Sequence, residues 1–130
     1  MKIKLTSIYV DDQAKALRFY TEVLGFAKNA DVTQGSYRWL TVASPEDPEG
    51  PQLQLALNTD PVARGYQEAL FEQNQPAAIF HSSNLKAEYE RIQGAGGKFA
   101  GPLEEAEWGS MAVLDDTCGN LIQLTQPAWG

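Results

Sequence analysis

The segment KIKLTSIYV at 2–10 alternates, with Thr6, Ile8 and Val10 on one side and Leu5, Ser7 and Tyr9 on the other, which predicts a strand. The period then lengthens. Asp12 stands where an N-cap belongs, Ala16, Leu17, Tyr20, Val23 and Leu24 fall on one helical face, and Gly25 suits the left-handed residue that ends a helix. Phe26 to Val32, Tyr37 to Ala43 and Gln52 to Leu57 read as three further strands, separated by Gln34-Gly35-Ser36 and by the acidic turn SPEDPEGP at 44–51. A β-α-β-β-β unit is therefore complete by about residue 58.

Asp60-Pro61 is a cap followed by proline in the first turn. It opens a helix to about Asn74 whose inward stripe is predicted to be Val62, Tyr66, Ala69 and Leu70. After Pro76 the grammar repeats, with Ala77 to Ser82 as a strand, Asn84 as a cap, Leu85, Tyr89 and Ile92 as a helical stripe, and Gly96-Gly97 as its end. Lys98-Phe99, Ser110 to Leu114 and Leu121 to Thr125 supply the remaining strands, and Glu104-Glu105-Ala106-Glu107 reads as an acidic loop. Val10 matches Ser82, Asp12 matches Asn84 and Gly25 matches Gly96, so the halves read as a degenerate tandem repeat, held by element order more than by residue identity. The glycine pair at 96–97 ends a helix rather than opening one, the wrong end for a phosphate.

Composition narrows the classes. With 130 residues, 43% apolar and 21% charged, the chain is one globular domain able to bury a core without staples. A net charge of −7 and a pI near 4.6 argue against nucleic acid and anionic membranes as partners. One cysteine forbids an intrachain disulfide, no segment reads as a signal peptide or a membrane span, and a cytoplasmic protein is expected. The single histidine excludes a zinc site built on several imidazoles.

The runs VDDQAKALRFYTEVLGF at 10–26, AEYERIQGAGGKFAGP at 87–102 and DDTCGNLIQLTQP at 115–127 resemble the glyoxalase / bleomycin-resistance / extradiol-dioxygenase family, the vicinal-oxygen-chelate superfamily. The resemblance covers nearly the whole chain. It implies an α+β fold of two tandem β-α-β-β-β modules forming a curved eight-stranded mixed sheet around a ligand cup, usually in a homodimer. Module one would span about 1–58, the linker helix about 60–74 and module two about 76–130 of a single domain. Enzymes of the family hold one divalent metal with about four inward His, Glu or Gln side chains, one from each of four strands. The corresponding positions here are Leu5, Gln54, Ala77 and Gln123, which offer two neutral amides and no anionic ligand. No metal and no other cofactor is expected.

If Leu5 and Ala77 face the cup, strand parity brings Ser7, Tyr9, Gln52, Gln54, Ala56, Ile79 and His81 to the same side, while Leu40, Val42, Leu53, Leu55, Leu57 and Phe80 turn to the helices. Trp39 and Thr41 would line the cavity from the third strand, and Trp108 would stand at its rim. The candidate ligand-binding residues are thus Ser7, Tyr9, Trp39, Gln54, His81, Trp108 and Gln123, a mixture of aromatic faces and amides suited to a small organic ligand. Each has a plainer reading: Tyr9 and Trp39 as core or interface aromatics, His81 as a surface or capping group. His81 is the one candidate acid or base, and no orienting carboxylate stands beside it in sequence. Cys118 has no neighbouring cation to activate its thiol. The acidic loops at 46–49 and 104–107 would either draw a cationic ligand to the cup mouth or serve solvation alone.

The sequence points to a metal-independent protein that binds, sequesters or senses a small molecule, as a homodimer. The alternative is a metal-dependent or His-assisted enzyme of the same superfamily, a glyoxalase-type lyase, isomerase or dioxygenase. A third reading is a dimeric interaction module whose cup is filled by side chains.

Overall fold

The computed structural model describes residues 1–129. Its order is β1 (Leu5–Val10), α1 (Gln13–Arg18, continued by a π-helical turn Phe19–Val23), β2 (Ala27–Gln34), β3 (Tyr37–Ala43), β4 (Gln52–Leu57), α2 (Pro61–Glu72), β5 (Ala78–His81), α3 (Leu85–Gly94), β6 (Lys98–Phe99), β7 (Glu104–Ala106), β8 (Gly109–Asp115) and β9 (Leu121–Pro127). This is an α+β fold with nine strands in two mixed sheets. The first sheet runs β1-β4-β3-β2 and the second β5-β9-β8-β6, with β7 added to β8. In both, the first and last strands of the set pair in parallel and the rest of that path is antiparallel.

The expectation of one eight-stranded sheet is corrected in two respects. Strand pairing forms two separate sheets among the described residues. The acidic run expected as a loop contributes a ninth strand, because Glu104, Glu105 and Ala106 find partners in Met111, Ser110 and Gly109 across a tight turn. All three are exposed, so the pairing answers to backbone hydrogen bonds and not to burial.

The helices start at the expected caps. Asp12, Asp60 and Asn84 accept from the backbone N–H groups of Lys15, Val62 and Ala87. Gly25 ends the first helical segment at φ 90°. Helix α1 is anchored to the first sheet by Gln13, whose amide donates to the carbonyls of Arg38 and Leu55. Its π-helical turn buries both Phe19 and Tyr20. Helix α3 buries Leu85 and Ile92 and packs on β8 and β9. Ile8, Val10, Leu40 and Leu55 from the first sheet and Leu114, Ile122 and Leu124 from the second join one continuous core. Ala77, expected to face a cup, packs against that core as well.

Helix α2 departs from the predicted stripe. Val62 is 82% exposed, Tyr66 is 63% exposed and Ala69 is also exposed, whereas Ala63 and Gln67 face inward. The reason is polar. The Gln67 amide donates to the carbonyls of Tyr9 and Cys118 and to Asn120 Oδ1, and its oxygen accepts from Asn58. Those four bonds tie α2 to β1, to the residue after β4 and to the turn before β9, and they determine which face of the helix turns in.

Candidate ligand site

The odd-numbered positions of β1 and β3 and the even-numbered positions of β4 share the face of the first sheet turned away from the core, because side chains alternate along a strand. Parallel register sets Ser7 opposite Gln54, and antiparallel register sets Thr41 on the other flank of Gln54. The Ser7 hydroxyl donates to Gln54 Oε1 at 2.7 Å, and Gln54 Nε2 donates to the Tyr37 phenol at 3.2 Å. Each group orients the next: Ser7 fixes which end of the amide is oxygen, and the amide then holds the phenol. Tyr9 flanks this chain from β1 and half-buried Trp39 flanks it from β3. Thr41, expected to line a cavity, is instead fully buried, accepting from the Ala30 N–H and donating to Gln52 Oε1 at 2.8 Å.

Four candidates, Ser7, Tyr9, Trp39 and Gln54, thus gather on the first sheet. Gln123 lies on β9 of the second, opposite Ile79 and Val113, and its amide donates to Thr125 Oγ1 at 3.0 Å. His81 ends β5 opposite Thr125, and Trp108 occupies the turn between β7 and β8, its carbonyl accepting from the Ala128 N–H. Among the described residues, no hydrogen bond links this second group to the first. Sequence reasoning passed over Tyr37, although it stands two residues before Trp39 on the same strand face, and parity alone would have included it.

The four positions that the resemblance assigns to a metal do not suit one. Leu5 and Ala77 offer no donor atom, the oxygen of Gln54 is engaged by Ser7, and Gln123 is neutral. Among the described residues, no three His, Cys, Asp or Glu side chains converge elsewhere.

Behind the open face lies a buried polar network. Asp116 accepts from the Tyr20 phenol at 2.7 Å, from the Cys118 and Asn120 backbone N–H groups, and from the Asn120 amide. Asn120 also donates to the Tyr9 carbonyl at 2.7 Å, so the backbone that carries the Tyr9 ring is clamped by both Asn120 and Gln67. Burial pushes the Asp116 carboxyl above its usual range against the pull of those hydrogen bonds, and burial beside Asp116 pushes the Tyr20 phenol well up. Burial, with the Asp116 charge nearby, raises the Cys118 thiol to about 12, which makes it a poor nucleophile.

Fold, element order and site face define one class of protein. Residues 2–124 match the model of the Glyoxalase/Bleomycin resistance protein/Dioxygenase superfamily, and the chain belongs to that superfamily. It is similar to the YurT protein of Bacillus subtilis (strain 168), with 45% identity over 126 residues, 97% of this chain and 99% of that one. Among solved structures it resembles UcmS2, with a TM-score of 0.84, 31% identity and coverage of 96% of this chain and 97% of that one. It also resembles TnmS3, an antibiotic binding protein from Streptomyces sp. CB03234, with a TM-score of 0.77, 30% identity and coverage of 98% and 97%. No helix among the described residues is long and apolar enough to cross a membrane.

Proposed function

We propose that this protein binds a small organic molecule without a metal ion, and so sequesters or senses it. The observation that carries the reading is the Ser7–Gln54–Tyr37 chain, an oriented amide and phenol on an open sheet face flanked by Tyr9 and Trp39. Rings supply the contact area and the amide supplies direction, the combination found in pockets for drug-sized ligands. Similarity to an antibiotic binding protein supports an antibiotic as the ligand class. The two like-ordered sheets support a duplicated architecture, with modules at about 1–58 and 76–130 joined by the helix at about 60–74, whose open faces together form the cup. In this reading Gln123, His81 and Trp108 belong to the half supplied by the second sheet. The exposed Leu5 and Ile79 support a homodimer that covers them, and the compartment in this reading is the cytoplasm.

A thermal-shift screen of antibiotics with and without Ni, Zn, Fe and Mn tests the reading. A ligand that raises the melting temperature equally in both conditions, and loses most of that effect in Gln54→Ala, is the expected outcome. Stoichiometric divalent metal in protein purified without chelator, or stabilisation only when metal is added, would overturn it.

A further inference from the structure

The molecule also has a concavity away from the open faces. A cleft of about 380 Å³ lies on the core side, between the end of the first helical segment, the loop after β3, the end of β5 and helix α3. Its floor is apolar: Phe26 and Phe80 meet edge to face with centroids 5.2 Å apart, beside Leu24, Ile92 and Leu124. Its rim is polar, with Ser44 and Glu46 from the loop after β3, His81, Ser82 and Ser83 from the end of β5, and Glu88 and Arg91 from α3.

The charges of this rim do not cancel. Arg91 is fully engaged: it pairs with Glu88 at 2.6 Å and donates to the carbonyls of Val23 and Leu24, which holds α3 against the end of the first helical segment. That pair is neutral. Glu46 has no ion-pair partner among the described residues, so the rim carries one uncompensated carboxylate. The side chains of His81 and Ser83 make no hydrogen bond within the described residues, leaving polar atoms free beside an aromatic floor. The acidic turn at 44–51, expected either to draw a cation to a cup or to serve solvation alone, brings Glu46 to this cleft.

We propose that this cleft is a second binding site, for a small aromatic amine whose ring rests on Phe26 and Phe80 and whose ammonium group faces Glu46. A ring on that floor is removed from water, and a single carboxylate at the rim selects cation over anion. Of the residues assigned to the open face, His81 alone also lines this cleft.

Matched probes separate the terms: 2-phenylethylamine, 2-phenylethanol and phenylacetate, titrated into the ¹⁵N-labelled full chain with amide shifts followed residue by residue. The amine should shift the amides of Ser44, Phe80, Ser82 and Ser83 saturably and bind about fivefold more tightly than phenylacetate, the scale of one exposed ion pair. Glu46→Gln, a change at an exposed loop position, should bring amine and phenylacetate to within about twofold of each other while the alcohol stays unchanged. Ser83→Phe, placed to fill the cleft mouth, should abolish the shifts with all three probes. Saturable shifts at Ser7, Tyr9 and Gln54 alone, no saturable shift at the cleft, or an amine preference that survives Glu46→Gln would each overturn the proposal.

Discussion

Truncating Gln67 to alanine tests the side chain that joins α2 to the first sheet and to the turn before β9. Gln67 is 5% exposed and makes four hydrogen bonds, but the loss is not four equal parts. The Tyr9 carbonyl keeps the Asn120 amide and the Cys118 carbonyl keeps the Asp11 N–H, so neither is orphaned. Asn58 Nδ2 and Asn120 Oδ1 lose the only partners they have among the described residues. Two orphaned buried groups at about 1–3 kcal/mol each put the expected cost at about 2–6 kcal/mol. Urea unfolding followed by tryptophan fluorescence at one fixed protein concentration should then show a midpoint lowered by about 1–3 M, at a slope of about 2 kcal/mol/M that stays unchanged. Asn58→Ala in the Gln67→Ala background removes one orphan. The double variant should therefore be less destabilised than the sum of the singles by about 1 kcal/mol. A Gln67→Ala midpoint shift worth under about 0.5 kcal/mol, or strict additivity of the pair, would refute the reasoning.

Two further outcomes are expected. Because burial raises Asp116, its contribution to stability is fully present below the ordinary carboxylate range and lost as pH rises through its raised value; Asp116→Asn should therefore gain on the wild type as pH rises from the ordinary carboxylate range until Asp116 has ionised, read from urea midpoints at each pH. Cys118 is fully buried with a thiol raised to about 12, so Ellman's reagent should modify the native protein only as fast as it opens, and at the full thiol rate in urea.

What the residue pattern revealed was local. Asp12, Asp60 and Asn84 announced helix starts because a side chain that caps its own helix needs no distant partner. The parity of β1, β3 and β4 was legible for the same reason, and it placed Ser7, Trp39 and Gln54 on one face. The stripe of α2 was misread because periodicity finds the apolar side of a helix without knowing whether anything lies opposite; the acceptors that draw Gln67 inward, Cys118 and Asn120, stand more than fifty positions away. Strand β7 escaped notice because Glu-Glu-Ala has the composition of a loop, and only pairing with β8 makes it extended. Thr41 passed for a cavity residue because its burial depends on the bulge in β2 at Lys28 and Ala30, which brings the Ala30 N–H to its hydroxyl.

The buried network also orders events in time. The bond from Tyr20 to Asp116 spans 96 positions and the bond from Asn120 to the Tyr9 carbonyl spans 111. The first sheet can pair as soon as Leu57 has left the ribosome, since β1 finds its neighbour in β4. Helix α2 can coil soon after with Asn58 and the Tyr9 carbonyl already present, yet its two other acceptors, at Cys118 and Asn120, are synthesised more than fifty residues later. Closing loops of that length costs entropy that no local contact repays, and folds governed by distant contacts form slowly. Until Asn120 emerges, α2 therefore has only the Tyr9 and Asn58 bonds to hold it on the first sheet, half of those that Gln67 makes in the finished fold.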